Sequence, residues 1–477
     1  MSRGAEYIER PESLRSTSRS SVRLSALRDS DLVRPGRWWS HRRDPEVWAW
    51  CLAGMCVVLL GMRQSFLLRG TGGMTPAQVA VLGALVVVTA GAAFCRDKID
   101  RVPTAAAFVL IALALSSLIT YASVCARGAS SVQLLYIDHA LFAQVLGIAL
   151  VLLIVILIRT PRAVILTLRG VVVAGAISAF YAVLQTFGGI DLAPDVRIPV
   201  LLKADTATLV TDLMRAGTVR PQGASGHTLE LSAILTILTP IAVGVTLHAR
   251  ARHERWIPWA LACMLIMGGA LTTVSRSAVV GMVIAIAVFA CAWPVKRTLV
   301  VVVSTVAAVF LALQLRIPMI NQLYQVVTGG SDDNSFGSRT FGQDYVWRHF
   351  TDHLWFGQGM GTYDVRFQPV LDNEYLGRLM ERGVVGLVSF VALLVVGIAA
   401  AAIATRRALR EGDRASVDLY ASLAASLAAL ATISTILDIS GFLQISTLMY
   451  VLIGVSIALV TPRTSDDVTS GLSASTA

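Results

Sequence analysis

Long apolar blocks alternate with short polar connections along most of the chain. The blocks fall at residues 47–62, 75–94, 103–124, 139–158, 163–187, 229–248, 256–274, 277–293, 298–315, 384–404, 416–437 and 441–460. A hydrocarbon core of about 30 Å is crossed by about 20 apolar helical residues, so each block reads as a membrane span. The pattern predicts an all-α integral membrane protein of about 12 transmembrane helices, with a large extracytoplasmic loop between the ninth and tenth spans. Two connections are long, residues 188–228 and 316–383, and loops of that size in a compact bundle tend to be functional. The second holds an amphipathic stretch (Thr340–Phe356) and a glycine-rich turn (Gly357–Gly361), and a helix entered at Asp372 then runs into the tenth span. The membrane domain is thus read as 47–460. Residues 1–46, polar and without the apolar core of a signal peptide, read as a cytoplasmic tail, and 461–477 as a second one.

Composition agrees with the pattern. Hydrophobic residues make up 55% and charged residues 15% of the chain, and mean hydropathy is +0.68. A soluble domain averages about 25% charged residues. The net charge of +10 does not point to nucleic acid, because the basic residues sit between apolar blocks. Connections on the tail's side hold Arg96, Lys98, Arg101, Arg250, Arg252, Arg255, Arg406, Arg407, Arg410 and Arg414, among others. Short connections on the other side hold only Arg63, Arg69, Arg127 and Arg276. This asymmetry predicts a multi-pass cytoplasmic-membrane protein with both termini inside. The cluster Arg34, Arg37, Arg42, Arg43 with Trp38 and Trp39 suits anionic lipid headgroups or plain anchoring. Six cysteines give neither a disulfide framework nor a zinc spacing.

No Walker loop, metal-spaced histidine pair or serine elbow is present. Asp332–Asp333 in a Gly/Ser loop reads as a solvated turn, so no metal or cofactor is expected. Arginines close to span ends stand out: Arg220 in Arg220-Pro221-Gln222-Gly223, Arg276 in the tight turn Thr273–Ser277, and Arg339 and Arg348 in the large loop. A guanidinium fork suits diphosphate oxygens and stays charged in a low dielectric; interfacial snorkelling is the alternative for any one of them. In the helix opening at Asp372, the residues Glu374, Arg378 and Glu381 share a face. Asp372 itself suits a helix cap, a catalytic base, or both.

These pieces, in order over roughly residues 160–400, resemble the O-antigen ligase and polymerase family of bacterial membrane glycosyltransferases. The likeness rests on Gln185, Arg220-Pro-Gln-Gly, Ser275-Arg276-Ser277, Ser338-Arg339, Trp347, Trp355-Phe-Gly-Gln-Gly-Met-Gly361, Asp372-Asn-Glu-Tyr-Leu376 and Glu381-Arg-Gly383. The resemblance implies a metal-independent glycosyltransferase, C-type-like in architecture, acting at the outer face of the membrane on a glycan carried by polyprenyl diphosphate. The acceptor would be another glycan, a lipid or a protein, and other envelope-assembly proteins are conceivable partners. Arg220, Arg276 and Arg339, with Arg348 nearby, would hold the diphosphate. Asp372 would activate the acceptor hydroxyl, oriented by Asn373 and Glu381. Family ligases carry a histidine where this chain has Asp372, so His353 and His227 are alternative bases. The Asn-Pro-Asn-like stretch expected before the sixth span is replaced by Ser225-Gly226-His227. A transporter of the same lipid-linked glycan is the main rival reading, and a structural subunit with a decayed site is a second.

Overall fold

The computed structural model describes residues 45–95, 102–158, 160–196, 201–204, 214–215, 218–316, 320–324 and 334–461. The basic N-terminal cluster and Asp332–Asp333 lie outside the described residues, as does most of both tails. The described elements begin with helices α1 (Pro45–Gly61), α2 (Pro76–Cys95), α3 (Thr104–Ala126), α4 (Ser131–Leu157) and α5 (Pro161–Val183). They continue with α6 (Thr228–Ala251), α7 (Ile257–Thr272), α8 (Arg276–Ala292) and α9 (Val295–Gln314). The last are α10 (Asn334–His349), α11 (Glu374–Glu411), α12 (Arg414–Ile433) and α13 (Leu443–Ala458). Boundaries follow from local chemistry. Ser130 and Gln133 form a capping box at the start of α4, Thr160 caps α5 just ahead of Pro161, and left-handed Gly412 ends α11 before Asp413 caps α12.

The expected count of twelve spans is not what the structure shows. Among the described residues, seven helices are long and apolar enough to cross a membrane: α3, α4, α5 with its terminal π-turn, α6, α9, α11 and α12. Four of the other apolar helices, α1, α7, α8 and α13, have only 16 or 17 residues, and the apolar stretch of α2 is Pro76–Ala90. At 1.5 Å per residue, 17 residues reach about 26 Å, short of a core of about 30 Å. For α7 and α13 the apolar runs 256–274 and 441–460 extend past the helix ends, and for α1 and α8 the runs are themselves only 16 and 17 residues long, so the sequence pattern overstated them. The large connection does not run unbroken to 383, because α11 starts at Glu374, close to the expected entry at Asp372, and runs 38 residues. Nor does the stretch around α10 collect its apolar residues on one face: Val346 is buried while Phe341 and Trp347 are exposed.

Helix packing relies on small residues, as in other membrane bundles. A Cβ on Gly170 of α5 would lie 2.2 Å from the Ala53 side chain of α1, and one on Gly244 of α6 would lie 2.3 Å from Ser422 of α12. The apolar centre is built largely from α5, α6, α12 and α13, whereas α9 has no buried residue. Two short antiparallel strand pairs lie outside the bundle. Strand β1 (Phe66–Leu68) pairs with β2 (Leu202–Ala204), and β3 (Met214–Arg215) pairs with β4 (Thr218–Val219).

Helix α11 is interrupted at Gly383, whose φ of 64° and ψ of −168° are not helical. An unbroken helix would bond Val384 N–H to the Met380 carbonyl and Val385 N–H to that of Glu381. Instead Val384 donates to the Leu354 carbonyl at 2.8 Å and Val385 to that of Trp355 at 3.2 Å. The released carbonyls of Met380 and Glu381 accept from Gln358 at 2.8 Å and Gly359 at 3.0 Å. Every group freed by the break is thus satisfied by one glycine-rich segment. Contact this close excludes side chains: a Cβ on Gly357 would lie 2.2 Å from the Glu381 carbonyl carbon, and one on Gly383 would lie 2.4 Å from that of Trp355. Both residues also have positive φ. Gly357→Ala and Gly383→Ala are each expected to cost about 2–4 kcal/mol. Gly54→Ala, where a Cβ meets nothing, is expected to stabilise by about 0.5–1 kcal/mol. Thermal unfolding of the detergent-solubilised protein, followed by loss of the monodisperse elution peak, ranks the three.

Candidate functional site

A cavity of about 530 Å³ opens where the start of α11 meets α4, the residues leading into α6, the segment 361–372 and the connection between α12 and α13. Its wall carries Asp372, Glu374, Arg378, Glu381 and Arg382, together with His227, Gln144, Tyr363, Asp438 and Tyr450. The ion pairs Arg169–Glu254 and Arg252–Asp413 lie toward the other end of α6.

Local structure fixes each group. Asn373, not Asp372, caps α11: its side-chain oxygen accepts from the Tyr375 and Leu376 N–H groups at 3.0 and 3.1 Å. Asp372 is therefore left to the cavity, where Arg339 Nε of α10 donates to it at 3.3 Å, with both side chains about a third exposed. One turn into α11, Glu374 and Arg378 form a buried ion pair, 1% and 5% exposed. Glu374 also accepts from the Ile439 and Ser440 N–H groups at 3.0 and 2.8 Å and from the Ser440 hydroxyl. Arg378 lies 3.9 Å from the centre of the Phe390 ring. Burial, reinforced by Glu374 beside it, pushes the Asp438 carboxyl well above the usual carboxylate range. Arg382 donates to Gln144, which in turn donates to the Tyr450 hydroxyl at 2.8 Å. Glu381 accepts from the Tyr363 N–H at 3.2 Å and so holds the segment after the glycine turn.

The residues leading into α6 are tied just as firmly. Gln185 accepts from the Gln222 and Gly223 N–H groups at 3.0 and 2.8 Å and donates to Asp191 at 2.7 Å. Arg63 bridges Asp191 at 2.7 Å and Gln222 at 2.6 Å. The Gln444 side chain donates to the Leu59 carbonyl at 2.7 Å and accepts from the Ser225 hydroxyl at 2.8 Å. Next along, His227 Nδ1 accepts from the Leu229 N–H at 3.0 Å and caps α6, so its proton sits on Nε2. Burial, then the nearby Arg220 charge, lowers the His227 pKa, against an opposing pull from Asp372.

Of the residues singled out in the sequence, Asp372, Glu381 and His227 line this cavity, Arg339 joins them through its bond to Asp372, and Arg220 is close to His227. Arg220 Nε donates to the Thr273 carbonyl at 3.1 Å, in the turn before Arg276. Arg276 is half-buried as the first residue of α8. That turn is strained, with Val274 at φ 45°, a region that β-branched residues avoid. His353 does not join Asp372: it lines a neighbouring cavity, where Arg127 lies 3.0 Å away, and burial followed by that charge lowers its pKa. Arg348 is exposed and lines neither cavity. The sequence reading missed Arg382, Gln144, Tyr363 and Asp438. Arg382, four residues beyond Arg378, was within reach of the same helical spacing argument. Gln144 sits in an apolar block far from the other pieces, and nothing in its surroundings in sequence marks it. Among the described residues no three of His, Cys, Asp or Glu converge as a metal-ligand group.

Fold and site together define a polytopic membrane protein with a cavity lined by ionisable groups at one end of its helix bundle. Within that class, residues 259–391 match the family model described as O-Antigen ligase. The match covers less than half of the chain, from α7 into α11, and so takes in Arg276, Arg339, Asp372 and the broken-helix contact. No curated protein matches the chain.

Two consequences follow from the electrostatics. Glu374→Ala leaves Arg378 buried without its partner and is expected to destabilise by about 3–5 kcal/mol, read as an early unfolding transition in detergent. His227, with its pKa lowered from the ordinary 6.5, favours folding fully above that value and progressively less as pH falls through the folded pKa. The wild type is therefore expected to lose thermal stability between pH 7 and pH 5. His227→Asn, which keeps a capping oxygen and does not titrate, is expected to lose less over the same interval.

Proposed function

We propose that the protein is a membrane glycosyltransferase that takes a glycan from a polyprenyl diphosphate at the outer face of the cytoplasmic membrane and passes it to a hydroxyl of a glycan, lipid or protein acceptor. The observation that carries this reading is Asp372, left free by the Asn373 cap to face the cavity and bonded to Arg339. In this mechanism the acceptor hydroxyl attacks the anomeric carbon as its proton passes to Asp372. The bond from that carbon to the diphosphate oxygen breaks, and polyprenyl diphosphate leaves with the electron pair. Direct displacement inverts the anomeric configuration. Charge builds on the leaving diphosphate, and fixed guanidinium groups stabilise it. Arg339 sits beside the base, and Arg220 and Arg276 flank the strained turn at the start of α8. A cation at a helix N-terminus faces the positive end of the helix dipole, an arrangement that an incoming anion reverses into attraction.

The charges of the broken helix also invite comparison with a transporter, which buries ions on interrupted helices near the bilayer midplane. Here the ionisable residues Glu374 to Arg382 occupy the first turns of a 38-residue helix rather than its middle, which favours surface chemistry. The test uses purified protein in liposomes with a pool of polyprenyl-diphosphate-linked oligosaccharides and mixed acceptors, following released polyprenyl diphosphate. Release that depends on acceptor, falls at least about 100-fold in Asp372→Ala and recovers in Asp372→His identifies the transferase and its base. Arg276→Ala is expected to abolish transfer while the protein still reaches the membrane. Absence of release, with the lipid moving between leaflets instead, identifies a transporter.

A further inference from the structure

A second and larger cavity, about 1170 Å³, lies between the start of α4 and the segment 353–368. Gly361, Tyr363 and Val365 line both cavities, so a single stretch of chain forms the partition between them. That stretch packs directly on α4, where a Cβ on Gly361 would lie 3.0 Å from the Tyr136 carbonyl oxygen.

The lining selects a ligand chemistry. Its cations are held by the protein's own acceptors. Arg127 donates to the Gly357 and Gln358 carbonyls at 3.2 and 3.1 Å, and Arg366 grips Asp364 at 2.6 Å. Both guanidinium groups are thereby held in place on the cavity wall. A lipid tail fits poorly, because the amides of Gln133, Gln358 and Gln368 and the Asp364 carboxylate line the walls. What the cavity offers is exposed aromatic surface beside planar amides. Tyr136 is 47% and Phe367 85% exposed, and Gln358 and Gln368 pair reciprocally at 3.1 Å, with Gln368 reaching the Tyr345 hydroxyl at 3.2 Å. An aromatic face carries partial negative charge and attracts the polarised C–H face of a sugar ring. An amide both donates and accepts, as hydroxyl groups require.

We propose that this second cavity binds a saccharide chain of several rings, held by Tyr136 and Phe367 against the Gln358–Gln368 pair. The proposal deepens the transferase reading, on which it rests for the identity of the glycan: rings beyond the reacting sugar would lie here, with the partition placing the reacting end beside Asp372. The chain is either that of the donor or that of the acceptor, and the chemistry recognised is the same.

The experiment measures binding without turnover, by saturation-transfer NMR on the full chain in lipid nanodiscs. One arm uses water-soluble oligosaccharides released by mild acid from the producing cells' lipid-linked glycans. The other uses oligosaccharides released from their finished surface glycoconjugates, and polyprenyl diphosphate without sugar is the control. Saturation transfer to sugar-ring protons is expected in at least one arm, and the arm that responds assigns the source. The double variant Tyr136→Ala/Phe367→Ala is expected to bind that glycan about tenfold more weakly, while Asp372→Ala binds it as the wild type does. In turnover the double variant is expected to raise KM and leave kcat within about twofold, since uniform binding is what it removes. No sugar binding in either arm overturns the proposal, as does equal affinity in wild type and double variant. Because binding is scored apart from carrier release, glycan bound without release rejects the transferase and keeps the saccharide site. Release with undiminished binding in the double variant does the reverse.

Discussion

The break in α11 is the constraint on which the site depends. A helix that stops at Gly383 and resumes leaves two N–H groups and two carbonyls without helical partners, and such groups, packed against other backbone, cost free energy when left unsatisfied. The segment Leu354–Gly359 supplies all four partners, and it does so only because glycine stands at 357 and 383, where backbone meets backbone. The exchange ties the end of the large connection to α11. The chain from 361 to 372, with Asp372 at its end, is therefore held between two fixed points rather than left as a free loop. The same segment forms the wall between the two cavities, so one backbone contact sets the shape of both.

Most ionisable groups around the first cavity do structural work. Glu374 and Arg378 neutralise each other and bind the turn after α12, and Glu381 spends its carboxylate on a backbone N–H. Arg382 is held through Gln144, Asn373 closes the start of α11, and His227 closes that of α6. A buried charge without such partners would be too costly to keep. The number of charged residues at the site is therefore a poor guide to how many can meet a ligand.

That distinction explains what the sequence could reveal. The membrane class, the all-helical architecture and the order of the polar pieces were legible, because composition and apolar blocks determine them. The number of spans was not: the pattern registers apolar runs, whereas α7 ends at the 273–275 turn and α8 just ahead of Pro294. Arg339 and Asp372 were legible as a pair of candidates, because charges near span ends are few. Assigning roles within the Asp372–Asn373 dipeptide required the backbone, since either residue type can cap a helix and only one does. His353 was misplaced for a similar reason. Sequence puts it in the same connection as Asp372, but the glycine turn directs it into the other cavity, beside Arg127. Gln144 was out of reach altogether, because a lone amide in an apolar block gains meaning only from the helix packed against it.

Magnitudes then separate the arginines that can exchange partners from those that cannot. Removing Arg378 from Glu374 would leave both charges buried at a cost of about 3–5 kcal/mol, which few ligands would repay. The Arg339–Asp372 pair is different, because each side chain is about a third exposed and the contact is a single bond of 3.3 Å. A pair of that kind is worth about 0–1 kcal/mol. A diphosphate, with more charge and more acceptor oxygens than one carboxylate, would compete for the Arg339 fork on favourable terms. Taking that arginine would also release Asp372 at the moment the donor is in place. Under the transferase reading, a base that is occupied in the empty protein and freed by its own substrate protects the donor from premature attack by water. A carboxylate at this position allows the exchange through its own charge, which draws the guanidinium in the empty protein yet offers it fewer acceptor oxygens than a diphosphate does.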